Sequence, residues 1–341
     1  MWSSIIRSPK FVRSFFSISS TRPRFVVALS NGIFKSNEER LVFLFSYEEG
    51  ESSSLVPNFD MALPCVGFRS LAASCPSLHG FLAVKALGGL IICNPSTEQF
   101  VKFPDPVLYH YVGYDPIDDQ HKALSVSLSI PFGPVGTPLV HKVLTIGQDR
   151  GWRHIETSLY HHAFLYSLTS GSIVCFHVRS DKLTYIKAPP VILDYGINGS
   201  EATFIEYKGK LASIVADPYN RFQRFDLWIL EDVEKHEWSK KTCEIPLSVW
   251  DSVGGFRMSF PGTNKAGEII MAPTILSRDV RPFYIFYYNV ETRNTRIVRL
   301  QGIGDNQEFR RSCGFIDKNE CHVRISPQHI ESIASFKNPT T

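Results

Sequence analysis

The carboxylates of Asp115, Asp118 and Asp119 stand close together in the run Asp115-Pro116-Ile117-Asp118-Asp119. Grouped acids of this kind can serve acid–base catalysis or hold Ca²⁺. At a proline-containing turn, however, such side chains more often cap backbone N–H groups. A glycosidase needs two carboxylates at a set separation across a cleft, which spacing along the chain does not define. His161 and His162 are adjacent. In a strand adjacent side chains point to opposite faces, so the pair cannot share one metal without a bend. Seven cysteines (65, 75, 93, 175, 243, 313 and 321) are odd in number and include no CxxC pair. That is neither a zinc framework nor a disulfide scaffold. Cys93 and Cys175 each end an apolar run, where a thiol acts as a small hydrophobe. The chain contains no GxxxxGK[ST], GxGxxG, GxSxG or HExxH. No catalytic, cofactor-binding or metal-ligating residue is therefore assigned, and no cofactor is expected.

The elements that would position any site read as strands. Aromatic residues make up 13% of the 341, with 25 Phe and 13 Tyr. Flat rings pack well on a pleated surface. Gly and Pro, 22 and 21 in number, are spread along the whole chain and punctuate many short elements. After residue 24 the sequence alternates apolar runs with turns, at 25–29, 40–46, 88–93, 140–146, 171–177, 210–216, 225–230, 267–272, 282–290 and 295–300. No segment past the first 18 residues holds a helical period for three turns, which argues for antiparallel sheets. The net charge of +3 comes from interleaved acids and bases, not from the clustered basic face of a nucleic-acid reader. No apolar stretch approaches the roughly 18 residues of a membrane span.

One pattern recurs: an apolar strand, a polar turn, then a strand opening on a bulky residue. It appears at 91–104, 144–157, 174–189, 228–246 and 286–300, and aligning the turns makes Phe100, Trp152, Leu183, Trp238 and Thr295 equivalent. Three of the four intervals are near the ~50 residues of a kelch-type blade; the step from Trp152 to Leu183 is far shorter. The repeat predicts a kelch-like β-propeller of antiparallel blades, in preference to a sandwich or barrel. Phe100, Trp152, Leu183 and Trp238 are expected to act as structural anchors, early in an outgoing strand and largely buried.

The same segments carry a family resemblance. GFLAVKALGGLIICNPSTEQFVKFP (80–104), VGYDPIDDQHKALSV (112–126) with HKVLTIG (141–147), GSIVCFHVRSDKLTYIKAP (171–189), LWILEDVEKHEWSKK (227–241) and FYIFYYNVETRNTRIVRLQGI (283–303) resemble the F-box-associated domains of plants, in particular the type 3 β-propeller class. A departure lies at 158–168, where the family's Gly-containing turn is replaced by Tyr160-His161-His162-Ala163-Phe164-Leu165-Tyr166. An irregular blade is expected there. Residues 2–16, WSSIIRSPKFVRSFF, are similar to the last helix of an F-box and the segment after it, with Trp2, Ile5 and Ile6 as an apolar stripe and Pro9 as the helix end. The resemblance implies an adaptor-binding part that is all but absent.

The chain thus divides into 1–24 as an F-box remnant and linker, 25–326 as the propeller, and 327–341 as a flexible tail. The resemblance implies a protein-binding, substrate-recognition module of an F-box-type ubiquitin ligase, without enzymatic activity. Adaptor and cullin subunits would be partners only if an upstream F-box exists; nucleic acid and membrane are not expected partners. The alternatives are a stand-alone interaction domain or a propeller-class enzyme. Up to Arg24 there are five Lys or Arg, seven Ser and no acid, which imitates a mitochondrial transit peptide. The resemblance favours the helix remnant and a location in cytoplasm or nucleus, which reduced structural cysteines also fit. Asn198-Gly199-Ser200 matches a glycosylation sequon and is read as a turn.

Overall fold

The computed structural model describes residues 8–30, 41–64, 77–86, 89–104, 109–129, 139–148, 151–155, 172–193, 201–216, 223–246, 249, 257–313, 315 and 321–335. Among these residues six sheets succeed one another along the chain. Sheet 1 holds Arg24–Ser30, Leu41–Glu48, Asn58–Pro64 and the late strand His322–Ser326. Sheet 2 is Ser77–Leu78, Phe81–Ala86, Gly89–Asn94 and Gln99–Pro104; sheet 3 is Tyr109–Asp115, Gln120–Leu128, Leu139–Thr145 and Arg153–His154. Sheet 4 has two strands among the described residues, Ser172–His177 and Lys182–Lys187. Sheet 5 is Glu201–Tyr207, Lys210–Ala216, Arg224–Asp232 and Glu237–Glu244. Sheet 6 is Met258–Thr263, Ile269–Pro273, Phe283–Tyr288 and Thr295–Leu300, edged by Ser54–Leu55. Within each sheet sequential strands pair antiparallel, which is the β-propeller arrangement. The short step between Trp152 and Leu183 falls on sheet 4; residues 158–168, with His161 and His162, lie outside the described residues.

Side-chain alternation explains how the sheets stack. In Arg24–Ser30, Val26 and Ala28 join Leu44, Met61 and Leu63 against Leu82, Ile91 and Cys93 of sheet 2. Phe25, Val27 and Leu29 point the other way, onto Ile270, Ile285, Tyr287 and Val298 of sheet 6. A strand packed on both faces must be apolar at every position, so these runs read as unbroken hydrophobics. The same interleaving joins sheet 2 to 3 (Phe81, Leu90 and Ile92 with Ala123 and Leu144), 3 to 4 (Leu124 and Val143 with Phe176 and Leu183) and 5 to 6 (Phe225 and Leu227 with Phe260, Ile269 and Tyr288). Between 4 and 5 the seam is Ala188 and Ile192 against Val215, Trp228 and Trp238.

The ring is closed twice between its ends. His322–Ser326 pairs antiparallel with Arg24–Ser30, Val26 opposite Ser326 and Ser30 opposite His322, so the C-terminal part supplies the first strand of sheet 1. Ser54–Leu55 leaves sheet 1 and lies parallel to Arg299–Leu300, where Arg299 N and Gln301 N donate to Ser53 O and Leu55 O at 2.9 Å. Two ends that are far apart in sequence are thereby held by main-chain bonds on opposite edges of neighbouring sheets.

At the N-terminal end Pro9 opens a helix, α1 (Pro9–Ser19), with Ser8 as N-cap accepting from Phe11 N at 3.3 Å. Proline lacks only an N–H that the first turn cannot use, so its ring is accommodated there. Trp2, Ile5 and Ile6 lie outside the described residues. Residues 327–335, expected to begin a flexible tail, instead pack on the ring: His329 and Ser332 are buried, and Asn94 Nδ2 donates to Ser332 O and Ala334 O at 2.8 Å each. A polar segment without regular structure gave no signal of this; its main-chain groups find partners on the sheets.

Candidate interaction faces

Strands alternate in direction, so first-to-second and third-to-fourth connections leave one face of the ring, and second-to-third and sheet-to-sheet connections leave the other. The first face carries short turns, among them His79–Gly80, Pro95–Glu98, Pro116–Asp119, Val178–Asp181, Lys208–Gly209, Val233–His236, 264–268 and Asn289–Asn294, together with the longer connection 49–57. Three of these turns are built alike. Asn94, Asp232 and Asn289 each accept a backbone N–H two residues on, at 2.9–3.0 Å. Four residues after each stands a left-handed residue: Glu98 (φ 55°), His236 (57°) and Arg293 (58°). Asp181 (55°) takes the same place in sheet 4. Asx side chains replace the missing backbone partners of the turn, which tolerates the positive φ.

Two residues beyond these left-handed positions come Phe100, Trp238, Thr295 and Leu183, each first or second in the strand that follows its turn. Trp152 stands one residue before the short strand Arg153–His154. The outermost strand is also the most exposed, and Phe100 is 39% exposed, with Lys102 Nζ 5.9 Å from its ring centre. Trp152, Leu183 and Trp238 are half-buried in the seams, and Trp238 Nε1 donates to Lys187 O at 2.9 Å. The expected deep burial is therefore corrected for Phe100: the rim of a sheet has one dry side only.

The carboxylate cluster of the Pro116–Asp119 turn is spent on structure. Asp115 Oδ1 accepts from Ile117 N at 3.0 Å, and Tyr114 OH donates to Asp119 Oδ1 at 2.8 Å. Arg179, on the neighbouring sheet, lies 3.4 Å from Asp118 and 3.9 Å from Asp115. Next to it Lys122 Nζ and Arg153 Nη2 reach Asp181 at 2.9 and 2.5 Å. Burial alone would raise the Asp181 carboxyl, but these two hydrogen-bonded cations hold it below the usual range. Among the described residues no three His, Cys, Asp or Glu side chains converge as metal ligands. Burial pushes the Cys243 thiol up to about 11 and the Cys321 thiol higher still. That is the reverse of what an activated nucleophile requires.

Helix α1 docks on this short-turn face, through residues that the sequence did not single out. Phe16 lies on His79 (ring centres 3.9 Å apart), His79 stacks on Tyr114 (4.1 Å), and Tyr114 adjoins His121 (4.7 Å). His121 Nε2–H donates to Leu78 O at 3.2 Å, and Lys265 Nζ donates to Ser20 O. Burial lowers both histidines, His121 to about 4, so both rings are neutral; His79 meets the helix, and His121 stands beside His79 and Tyr114. His79 takes φ 47° in a tight turn, a feature that periodicity does not reveal. Phe11 and Ile18 face outward, 40% and 61% exposed.

Among the described residues the opposite face carries the connections 274–282 and 301–313. Rigid sheets with long, sequence-rich connections on one side are the general plan of a recognition platform. Strand order and stacking together define a β-propeller. Residues 31–330 match the family model of the F-box associated beta propeller domain, and the chain belongs to that family. A putative F-box protein of Arabidopsis thaliana is 50% identical, covering 99% of this chain and 79% of its own. A second Arabidopsis F-box protein is 46% identical over 98% of this chain and 91% of its own; the Arabidopsis F-box protein DOR is 34% identical over 89% and 82%.

Proposed function

We propose that this propeller is the substrate-recognition module of an F-box-type ubiquitin ligase component, binding its partner protein and performing no catalysis itself. The observation that carries this reading is the asymmetry of the ring. One face is taken up by α1 and capped turns, while 274–282 and 301–313 emerge on the other. A partner held there would be presented away from whatever precedes α1. Family membership supports the ligase context, since the relatives are named F-box proteins. Partners of the module are then a substrate protein and, through an F-box, adaptor and cullin subunits; the location is cytoplasm or nucleus.

The test is affinity purification from native tissue with two altered baits. Replacing 274–282 on the long-connection face should remove co-purifying proteins, and replacing exposed Val233–His236 turn residues on the short-turn face should leave them. Loss in both baits, or in the second alone, would reject the assignment of faces. A fluorescent fusion of residues 1–40 reports location, and mitochondrial import with cleavage would overturn cytoplasm or nucleus.

A further inference from the structure

The segment 327–335 crosses the short-turn face as a strap without regular structure. Gln328 Nε2 donates to Thr263 O of sheet 6 at 2.9 Å. His329 N donates to Arg24 O at 2.8 Å, and its Nδ1 lies 3.0 Å from Ser77 Oγ. Glu331 pairs with Arg24 Nη1 at 3.1 Å. Ser335 Oγ reaches Gln99 Oε1 at 3.0 Å, at the outer strand of sheet 2. One short stretch thus touches sheet 6, the exit of α1 at Arg24, and both edges of sheet 2.

Its seat has a recognisable chemistry. Asn94 is fully buried. Its Oδ1 accepts from Ser96 N at 3.0 Å, which fixes the amide's orientation. Both hydrogens of its Nδ2 then go to main-chain carbonyls, Ser332 O and Ala334 O, each at 2.8 Å. Carbonyls two residues apart in a strand stand about 6.6 Å from each other, too far for one nitrogen to reach both, so the chain is turned at Ser332–Ala334, where Ala334 N also donates to Ser332 Oγ at 3.1 Å. The amide reads that turned backbone whatever the side chains. Selectivity comes from Gly80, in the left-handed region at φ 92°, where a Cβ would stand 2.2 Å from Ser332 Cβ. Only a small side chain fits above it, and Ser332 is 2% exposed there.

We propose that the groove of sheet 2 between the His79–Gly80 and Asn94–Glu98 turns is a peptide site for a main chain turned at a small residue over Gly80, which the protein fills with its own residues 329–335. The strap so held fastens the closing strand His322–Ser326, and with it Arg24 at the foot of α1, to sheet 2. Asn94 is its positioning residue.

Two full-length variants test this. Asn94→Asp keeps the acceptor for Ser96 N and loses both amide donors. Hydrogen exchange at residues 329–335 should then accelerate by about thirtyfold, the scale of two neutral hydrogen bonds, with 322–326 following. Ser332→Leu expels the strap and leaves the groove intact. A labelled peptide of sequence Pro-Gln-His-Ile-Glu-Ser-Ile-Ala-Ser should bind that variant saturably in fluorescence anisotropy. The same peptide should not bind the native chain, nor a Ser332→Leu chain also carrying Asn94→Asp. Unchanged exchange in Asn94→Asp, or no peptide binding by a folded Ser332→Leu chain, would overturn the proposal. If Asn94→Asp fails to fold, peptide binding by Ser332→Leu decides alone.

Discussion

Acidification to pH 5 should weaken this propeller through two buried histidines. His121, between Phe81 and Tyr114, and His329, in the strap, are each lowered from 6.5 to about 4; burial is the main cause for both, and Arg24 adds to it at His329. A folded-state pKa below the unfolded value means that the unfolded chain binds more protons between the two. Stability is complete above about pH 6.5 and falls as pH drops toward 4. At pH 5 each histidine costs about 2 kcal/mol, against a total stability on the order of 5–15 kcal/mol. Asp181 and Asp305 stay ionised at pH 5, since hydrogen-bonded cations outweigh burial and hold both below the usual range. Glu49, raised by burial, acts in the opposite sense. The assay is therefore urea unfolding at pH 7.5 and 5.0 for the native chain, His121→Gln and His329→Gln. Each variant should lose about 2 kcal/mol less on acidification than the native chain. Equal losses in all three would refute the argument, because the histidines would then titrate alike in folded and unfolded states.

Three further outcomes are expected from the packing. Trp238→Phe removes the bond to Lys187 O and should lower stability by about 1 kcal/mol in urea unfolding. Phe100→Ala, on the exposed rim, should cost less than about 1 kcal/mol, whereas Leu44→Ala, fully buried between sheets 1 and 2, should cost about 2–5 kcal/mol; the reverse order would contradict the seam assignment. Val323→Pro deletes the N–H donated to Thr274 O inside the closing strand and should cost about 3 kcal/mol or more, and an unchanged midpoint would refute closure by that strand.

The strands and their order were legible because a strand packed on both faces is apolar throughout. The runs 25–29, 88–93 and 210–216 coincide with the buried strands Arg24–Ser30, Gly89–Asn94 and Lys210–Ala216. The turn alignment was legible too, since Asn94, Asp232 and Asn289 impose one local geometry through their own side chains. Such signals act over a few residues. What pairs residue 26 with residue 326, or sets Ser54–Leu55 beside Arg299–Leu300, is closure of the ring, which no local period encodes. The burial of Phe100 depended on which side of a rim strand was left dry. His79, Tyr114 and His121 become a seat for α1 only when the turns of sheets 2 and 3 meet, and residues 327–335 become a strap only beside Asn94 and Gly80. Patterning and turn chemistry thus belong to the sequence itself. Neighbourhood across the ring, and with it both faces, belongs to the tertiary structure, because contacts between distant residues form only once the sheets have stacked.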